Sequence, residues 1–103
     1  MDPTFTFSSE LVPWNDDKAS WVFAQLPEED AEEIRDIVPD RNGFGSIKVR
    51  ARIAGTEWAT SIFPDSSTNS FVLPIKKPVR KATGVDVGDV VEIELDILSL
   101  IHI

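Results

Sequence analysis

The sequence contains no cysteine and a single histidine, His102, so it lacks most side chains used in covalent and metal chemistry. The absence of cysteine excludes disulfides, thiolate metal sites and cysteine nucleophiles. Because the usual nucleophile–base pairs and zinc sites need cysteine or histidine, we expect no catalytic residues, no metal site and no cofactor. A serine–lysine pair such as Ser61 with Lys76 remains open, although both residue types are common. We therefore favour a protein that is not an enzyme.

Long hydrophobic runs are absent as well. No stretch approaches the roughly 18 apolar residues that a membrane-spanning helix needs. The first residues lack the basic region and apolar run of a secretory signal. We therefore expect a cytoplasmic protein without membrane contact. The length of 103 residues is typical of one domain.

Charge is distributed unevenly along the chain, whose net charge is −8. Residues 1–40 carry a net charge of −9, residues 41–85 carry +6 and residues 86–103 carry −5. A strongly acidic protein repels nucleic acid at long range, whereas a local basic segment can still act at short range. The pattern therefore disfavours nucleic acid as a partner and makes the basic segment the first place to search for a binding site.

Alternating apolar and polar residues predict several short strands. The clearest strand precedes the two-residue turn Ala54–Gly55, where glycine supplies a positive φ, and a return strand follows it. An earlier hairpin turns at Asn15–Asp17. The predicted strands are 4–11, 21–24, 47–53, 56–63, 71–73 and 91–97.

Two short helices are predicted between the strands. The first begins at Pro27 and is stopped by Pro39, and the second is bracketed by Pro78 and Gly84. The resulting order, ββαβββαβ, predicts a mainly β fold, namely a small barrel of about six strands capped by two short helices. The side chains expected to be buried beneath the helices are Ala31, Ile34, Val38, Val79 and Ala82.

Two predicted strands carry outward rows of opposite charge with the same period of two residues. Because opposite charges on paired strands favour the pair, we predict that these strands are neighbours, in one barrel or across a homodimer. The cations of the row would then be neutralised. The basic row is Lys48, Arg50 and Arg52, the acidic row is Glu92, Glu94 and Asp96, and the shared core is Ile47, Val49, Ala51, Val91, Ile93 and Leu95.

The start of the second helix breaks a local rule, because cations oppose the positive end of a helix dipole. Lys76, Lys77, Arg80 and Lys81 would instead suit an anion at the free N–H groups. The alternative is a short helix with a weak dipole and solvated or ion-paired lysines. Trp58 is a further candidate, because it could stack a ring beside the basic row, although tryptophan is more commonly a core residue.

Several strings of the sequence occur together, in a recognisable order. They are Asn42–Val49, Trp58–Pro64, Leu73–Lys81 and Val87–Asp89, preceded by the hairpin containing Phe5–Phe7 and Trp21–Phe23. With these strings, the protein resembles the small prokaryotic domain-of-unknown-function family DUF1905 over nearly all of the chain. The resemblance implies a double-split β-barrel capped by helices, the broad fold of the AbrB and MazE transcription-factor domains. It implies no activity, cofactor or catalytic residues.

The last six residues depart from the pattern of the DUF1905 family. Back-translated, they reproduce the transposon end sequence that is used to prepare sequencing libraries. We interpret residues 98–103 as a non-native sequencing-adapter tail and residues 1–97 as a single β-barrel domain. A plain extension of the last strand is the alternative, and resequencing of the source DNA decides between them.

The leading functional hypothesis is a non-enzymatic binding or interaction domain. Its ligand would be a small anion or an acidic partner segment at the cationic helix start. The alternative is a nucleic-acid-binding or transcription-associated domain, by fold analogy alone.

Overall fold

The computed structural model describes residues 4–13, 21–38, 45–65 and 67–98. Eight elements follow one another in the predicted order ββαβββαβ. The predicted turns at 15–17 and 40–43, Pro39 and the tail beyond Leu98 lie outside the described residues. The elements are β1 Thr4–Pro13, β2 Val22–Gln25, α1 Glu28–Ile37, β3 Ile47–Ile53, β4 Thr56–Asp65, β5 Ser70–Pro74, α2 Lys77–Thr83 and β6 Val90–Ile97.

The six strands close into a barrel in the order β1-β2-β5-β4-β3-β6, with antiparallel neighbours throughout. This confirms the predicted small barrel with two helices. The two longest strands each change neighbour along their length. β1 pairs with β6 up to Glu10 and with β2 from Leu11. β4 pairs with β3 up to Ile62 and with β5 from Phe63.

The core is built from the inward side chains of the alternating strands. β3 and β6 contribute the residues that the sequence assigned to a shared core, and all of them are buried. Ala31, Ile34 and Val38 are buried beneath α1, as predicted. Beneath α2, Val79 is buried but Ala82 is exposed, so that prediction was wrong. The inward side of this seven-residue helix continues from Val79 to Thr83, whose hydroxyl donates to the Val79 carbonyl.

The oppositely charged rows lie on neighbouring strands of one barrel, which confirms the predicted pairing without a second copy of the chain. The β3–β6 register places Arg50 opposite Asp96 and Arg52 opposite Glu94. On the other side of β3, the Nε atom of Arg50 lies 2.9 Å from a carboxylate oxygen of Glu57 on β4. Both arginines of the basic row are therefore neutralised by carboxylates of adjacent strands.

Asp96 is the most enclosed member of this network. The Arg52 guanidinium contacts Glu94 at 2.7 Å and Asp96 at 3.0 Å, and the Thr4 hydroxyl donates to Asp96 at 2.8 Å. These hydrogen bonds, first from Arg52 and then from Thr4, hold the pKa of Asp96 below its ordinary value. The hydrogen bonds that Arg52 makes, first with Asp96 and then with Glu94, raise the pKa of its guanidinium. The network links three strands, β1, β6 and β3, across their outer face.

The hairpin between β3 and β4 turns through Ala54 and Gly55, whose φ angles are 49° and 83°. Both values are positive, as a type I′ turn requires, so an alanine occupies a position that favours asparagine or glycine. The helices are short: α1 has ten residues and α2 has seven. In the described part of the chain, neither helix has the length and apolar character needed to cross a bilayer.

Candidate functional site

Three of the four cations predicted at the start of α2, namely Lys77, Arg80 and Lys81, line one space beside Asp86, and Lys76 does not line it. Lys76 is the N-cap residue, and Lys77 and Lys81 are exposed. Arg80 is largely enclosed, with 12% of its side chain exposed; its Nε donates to the Ile75 carbonyl at 3.2 Å and Nη1 lies 3.7 Å from Asp86. The Arg80 guanidinium is therefore engaged by the Ile75 carbonyl and by Asp86, and not by a free anion as the sequence suggested.

The remaining three lysines divide between two surfaces. Lys76 and Lys77 line a pocket with Trp21, whereas Lys77 and Lys81 line a second pocket beside Asp86. Among the described residues, none of these three lysines forms an ion pair. Lys76 thus belongs to the Trp21 surface, and Lys81 lies on the other side of α2.

Trp58 lies on the inner side of β4. Its register partner is the buried Ala51, and its ring packs against the core. The basic row pairs instead with the β4 residues that alternate with Trp58, so that Lys48 faces Ser61 and Arg50 faces Ala59. Side chains of alternate residues point to opposite faces, and Trp58 therefore lies across the sheet from the cations. Its indole Nε1 is buried and has no hydrogen-bond partner within the described part of the chain.

An apolar surface covers the outer face where β2, β5 and β4 lie side by side. Trp21 is 54% exposed and Phe63 is 43% exposed. The Trp21 and Phe23 rings stack, with centroids 6.4 Å apart and planes inclined by 14°. The strand register brings Phe23 beside Pro74 and Phe63 beside Val72. We call Trp21, Phe23, Phe63, Val72 and Pro74 the aromatic groove.

Lysines border one end of the aromatic groove. A space of about 560 Å³ is lined by Trp21, Pro74, Phe63, Lys48, Lys76 and residues 59–61. Lys48 reaches it because it faces Ser61 across β3 and β4, and Lys76 because it follows Pro74 by two residues. An adjoining space of about 340 Å³ is lined by Trp21, Lys76 and Lys77 among others. We call Lys48, Lys76 and Lys77 the lysine rim.

The opposite end of the aromatic groove carries an acidic residue. A space of about 240 Å³ there is lined by Phe23, Phe63, Val72 and Asp65 among others. The Ser67 hydroxyl donates to the Asp65 carboxylate at 2.7 Å and lowers the pKa of that group. A bound ligand would therefore meet positive charge at one end of the groove, rings in the middle and negative charge at the other end.

The groove combines exposed aromatic rings with lysine side chains. Exposed aromatic rings provide contact area at little cost in conformational entropy, and lysines provide charge complementarity to an anion. Ser61 and Lys76 do line the same space. Lys76 is exposed, however, and among the described residues no hydrogen bond joins it to Ser61, whereas a nucleophile and its base lie within hydrogen-bond reach. We assign no catalytic role to either residue.

Sequence reasoning missed the aromatic rings as site residues. The general expectation that tryptophan is a core residue does not hold for Trp21, which lies on the outer face of the barrel. A signal was present, because Trp21 and Phe23 alternate with Val22 and Ala24, which are buried. A strand with apolar residues on both faces needs a second apolar surface, or leaves one face exposed. Only the structure shows that this outer face is exposed.

Comparison with known proteins supplies a family. No curated protein matches the chain significantly. The family model described as domain of unknown function, DUF1905, matches residues 7–95. The match extends from β1 to β6 and includes the strands that form the aromatic groove. The chain therefore belongs to the DUF1905 family.

Proposed function

We propose that this protein is a non-enzymatic binding domain, and that the aromatic groove with its lysine rim binds an acidic segment of a partner protein. The carrying observation is the position of Trp21, a large ring that is more than half exposed beside Lys76 and Lys77. Contiguous exposed apolar surface with a polar border is typical of interaction sites. Tryptophan is also prominent among the residues that dominate binding energy.

A peptide segment fits this surface better than a small inorganic anion. An inorganic anion needs donors and charge, and it makes no use of rings such as Trp21 and Phe63. A segment with carboxylates and one aromatic side chain uses both the lysine rim and the aromatic groove. The seven-residue length of α2 and the enclosed position of Arg80 also argue against an anion site built on the helix start alone.

Single-stranded nucleic acid is the competing ligand, because rings beside lysines also suit stacked bases and phosphates. The net charge of −8 opposes every anion, and it opposes a strand with one charge per nucleotide more than a segment with two carboxylates. Arg50 and Arg52 are occupied by carboxylates, whereas Lys76 and Lys77 line the space beside Trp21 and form no ion pair among the described residues. The acidic segment is therefore the ligand we propose, and nucleic acid is an outcome that the test distinguishes.

The test uses an acetylated heptapeptide, Thr-Glu-Thr-Phe-Thr-Glu-Thr, titrated into the full chain at about 50 mM salt. We expect saturable binding that weakens as salt is raised, because rim charges are screened. Trp21→Ala should weaken binding by at least about tenfold through lost ring contacts. Lys76→Glu should also weaken it. Lys81→Glu is the matched control, since it makes the same charge change on the other side of α2.

Four results would overturn the proposal. The first is absence of saturable peptide binding. The second is equal binding of a peptide in which lysine replaces both glutamates. The third is tighter binding of a single-stranded thymidine oligonucleotide, lost in Trp21→Ala, which would assign the groove to nucleic acid. The fourth is inorganic phosphate that competes fully with the peptide in both wild type and Trp21→Ala, which would restore the small-anion hypothesis.

A further inference from the structure

Among the described residues, one edge of β4 carries backbone groups that no strand pairs. On the β3 side, β4 is paired from Thr56 to Ile62. On the β5 side, it is paired only from Phe63 to Asp65. The segment of β4 before Phe63 therefore has a strand on one side only, within the described part of the barrel.

The register identifies the groups that face the unpaired side. In a hairpin with a two-residue turn, the flanking pair, here Ile53 and Thr56, exchanges hydrogen bonds, and such pairs alternate along an antiparallel ladder. Trp58 and Thr60 thus direct their N–H and C=O groups to β3. The intervening residues Glu57, Ala59 and Ser61 direct theirs away from β3. This parity agrees with the β5 pairing, which begins two residues after Ser61.

Proline explains why β5 does not continue along this edge. The register from Phe63↔Val72 would next place Ser61 opposite Pro74. Proline has no N–H and cannot donate to the Ser61 carbonyl. After Pro74 the chain leaves the sheet and enters α2. The edge at Ala59 and Ser61 consequently stays open beside the last residue of β5.

The open edge is a wall of the candidate site. Residues 59–61 line the space of about 560 Å³ together with Trp21, Lys48 and Lys76. Backbone donors and acceptors, rings and cations therefore surround one space. Unpaired strand edges are templates for an added strand, and neighbouring side chains then select the sequence of that strand.

We propose that the partner segment binds as an additional β-strand along the Ala59–Ser61 edge of β4. This inference rests on the proposed function and specifies its mode. Side chains of an extended segment alternate between two faces. On the outward face, carboxylates would lie against Lys48 and Lys76, and an aromatic side chain between them would lie on Trp21. Because the open edge is short, only a few backbone hydrogen bonds can form with the segment. Contacts with the rings and the lysine rim therefore determine which sequence binds.

Amide hydrogen exchange, followed by NMR on the full chain, tests this mode with the same heptapeptide. In the free protein, the Ala59 amide should exchange rapidly, while the Trp58 and Thr60 amides are protected by β3. Saturation with the peptide should slow exchange at Ala59 by at least about tenfold and leave Trp58 and Thr60 unchanged. Unaltered Trp58 and Thr60 exchange also shows that the barrel stays folded.

Two N-methylated peptides complete the experiment. One is methylated at the threonine amides and the other at the glutamate and phenylalanine amides, so each loses the donors of one edge. Strand addition predicts that one of them loses binding by at least about tenfold and that the other binds as the parent does. Equal binding of both, with Trp21-dependent affinity and rapid Ala59 exchange, would overturn strand addition and keep the proposed function. Absence of binding by the parent peptide would overturn both.

Discussion

The outer surface of the barrel has two sides of different chemistry. On the side formed by β1, β6 and β3, most outward residues are polar and several bond to one another, as in the contacts of Arg52 with Glu94 and Asp96. On the side formed by β2, β5 and β4, outward residues include Trp21 and Phe63, which are exposed and apolar. We call these the ion-paired side and the groove side. Both cover the same core.

Under the proposed function, the difference between the two sides separates stability from recognition. Polar groups that bond to one another across strands link those strands, and they offer little to a partner because their charges are neutralised. Exposed rings contribute little to the fold, but they gain by leaving water when a partner covers them. One closed sheet can therefore hold itself together on the ion-paired side and bind on the groove side.

The largest effect is expected where the two sides are alike, in the shared core. Leu95 lies beneath the ion-paired side and Leu73 beneath the groove side, and both are fully buried. Leu95→Ala and Leu73→Ala should each lower the free energy of unfolding by about 2–5 kcal/mol in urea titrations. Trp21→Ala should change it by no more than about 0.5 kcal/mol.

If Leu73→Ala lowered the free energy of unfolding much less than Leu95→Ala, the result would contradict a core shared by the two sides. It would mean that the groove side opens independently of the ion-paired side. Two separate transitions in the urea titration of the wild type would give the same answer.

Acid should distinguish the two sides. Asp96 has a pKa held below the usual 3.8 by hydrogen bonds from Arg52 and Thr4. A carboxyl group whose pKa is lower in the folded state stabilises the fold above the unfolded-state pKa. That contribution is lost as pH falls through the folded-state pKa. We expect the free energy of unfolding to fall below about pH 4, and to fall less in Asp96→Asn.

Asp65, on the groove side, is the matched control. Its pKa is also lowered, but by the adjacent Ser67 hydroxyl within a local turn and not by a cation on another strand. About 1 M NaCl should reduce the effect of Asp96→Asn and leave that of Asp65→Asn nearly unchanged, because screening acts on charge pairs. If the free energy of unfolding responds equally to acid and equally to salt in the two variants, the cross-strand ion pairs do not cause the difference in acid stability between the two sides.

The smallest effect is expected at the hairpin that joins the two sides. Ala54 has a φ of 49°, which costs an alanine more than it costs an asparagine. Ala54→Asn creates the Asn-Gly pair preferred in type I′ turns and should raise the free energy of unfolding by about 0.5–1 kcal/mol. Peptide affinity should stay the same. A loss of stability would show that the turn departs from type I′ in solution.

Much of the fold was predictable because strand patterns are local. The alternation in β3 and β6 assigned their inward and outward residues correctly. Their opposite charges also identified them as neighbours. The limits of β4 and β5 were predicted less well, since Pro64 and Ser70 were assigned to a loop. In the structure, Pro64 lies within β4 and pairs with Phe71 of β5, so this proline does not mark the end of the strand.

The candidate site was predictable only in part. Lys76 and Lys77 attracted interest through their position before a helix, and the structure places them beside Trp21. The aromatic groove itself was not predicted. Hydrophobicity indicates that a side chain gains by burial, but it does not state whether another element is available to bury it. Trp58 and Trp21 are the same residue type, and they lie on opposite sides of the sheet relative to the core.

By itself, the sequence determined the order of the elements, the facing of their residues and the turn at Ala54–Gly55, because these depend on periodicity and on backbone preferences within a few residues. Only the tertiary structure decided that β5 lies between β2 and β4, which brings Phe23, Phe63 and Pro74 together. Alternation fixes which face of a strand is apolar, whereas the neighbour of a strand depends on closing the whole barrel around one core. The aromatic groove and the open edge of β4 both result from that closure.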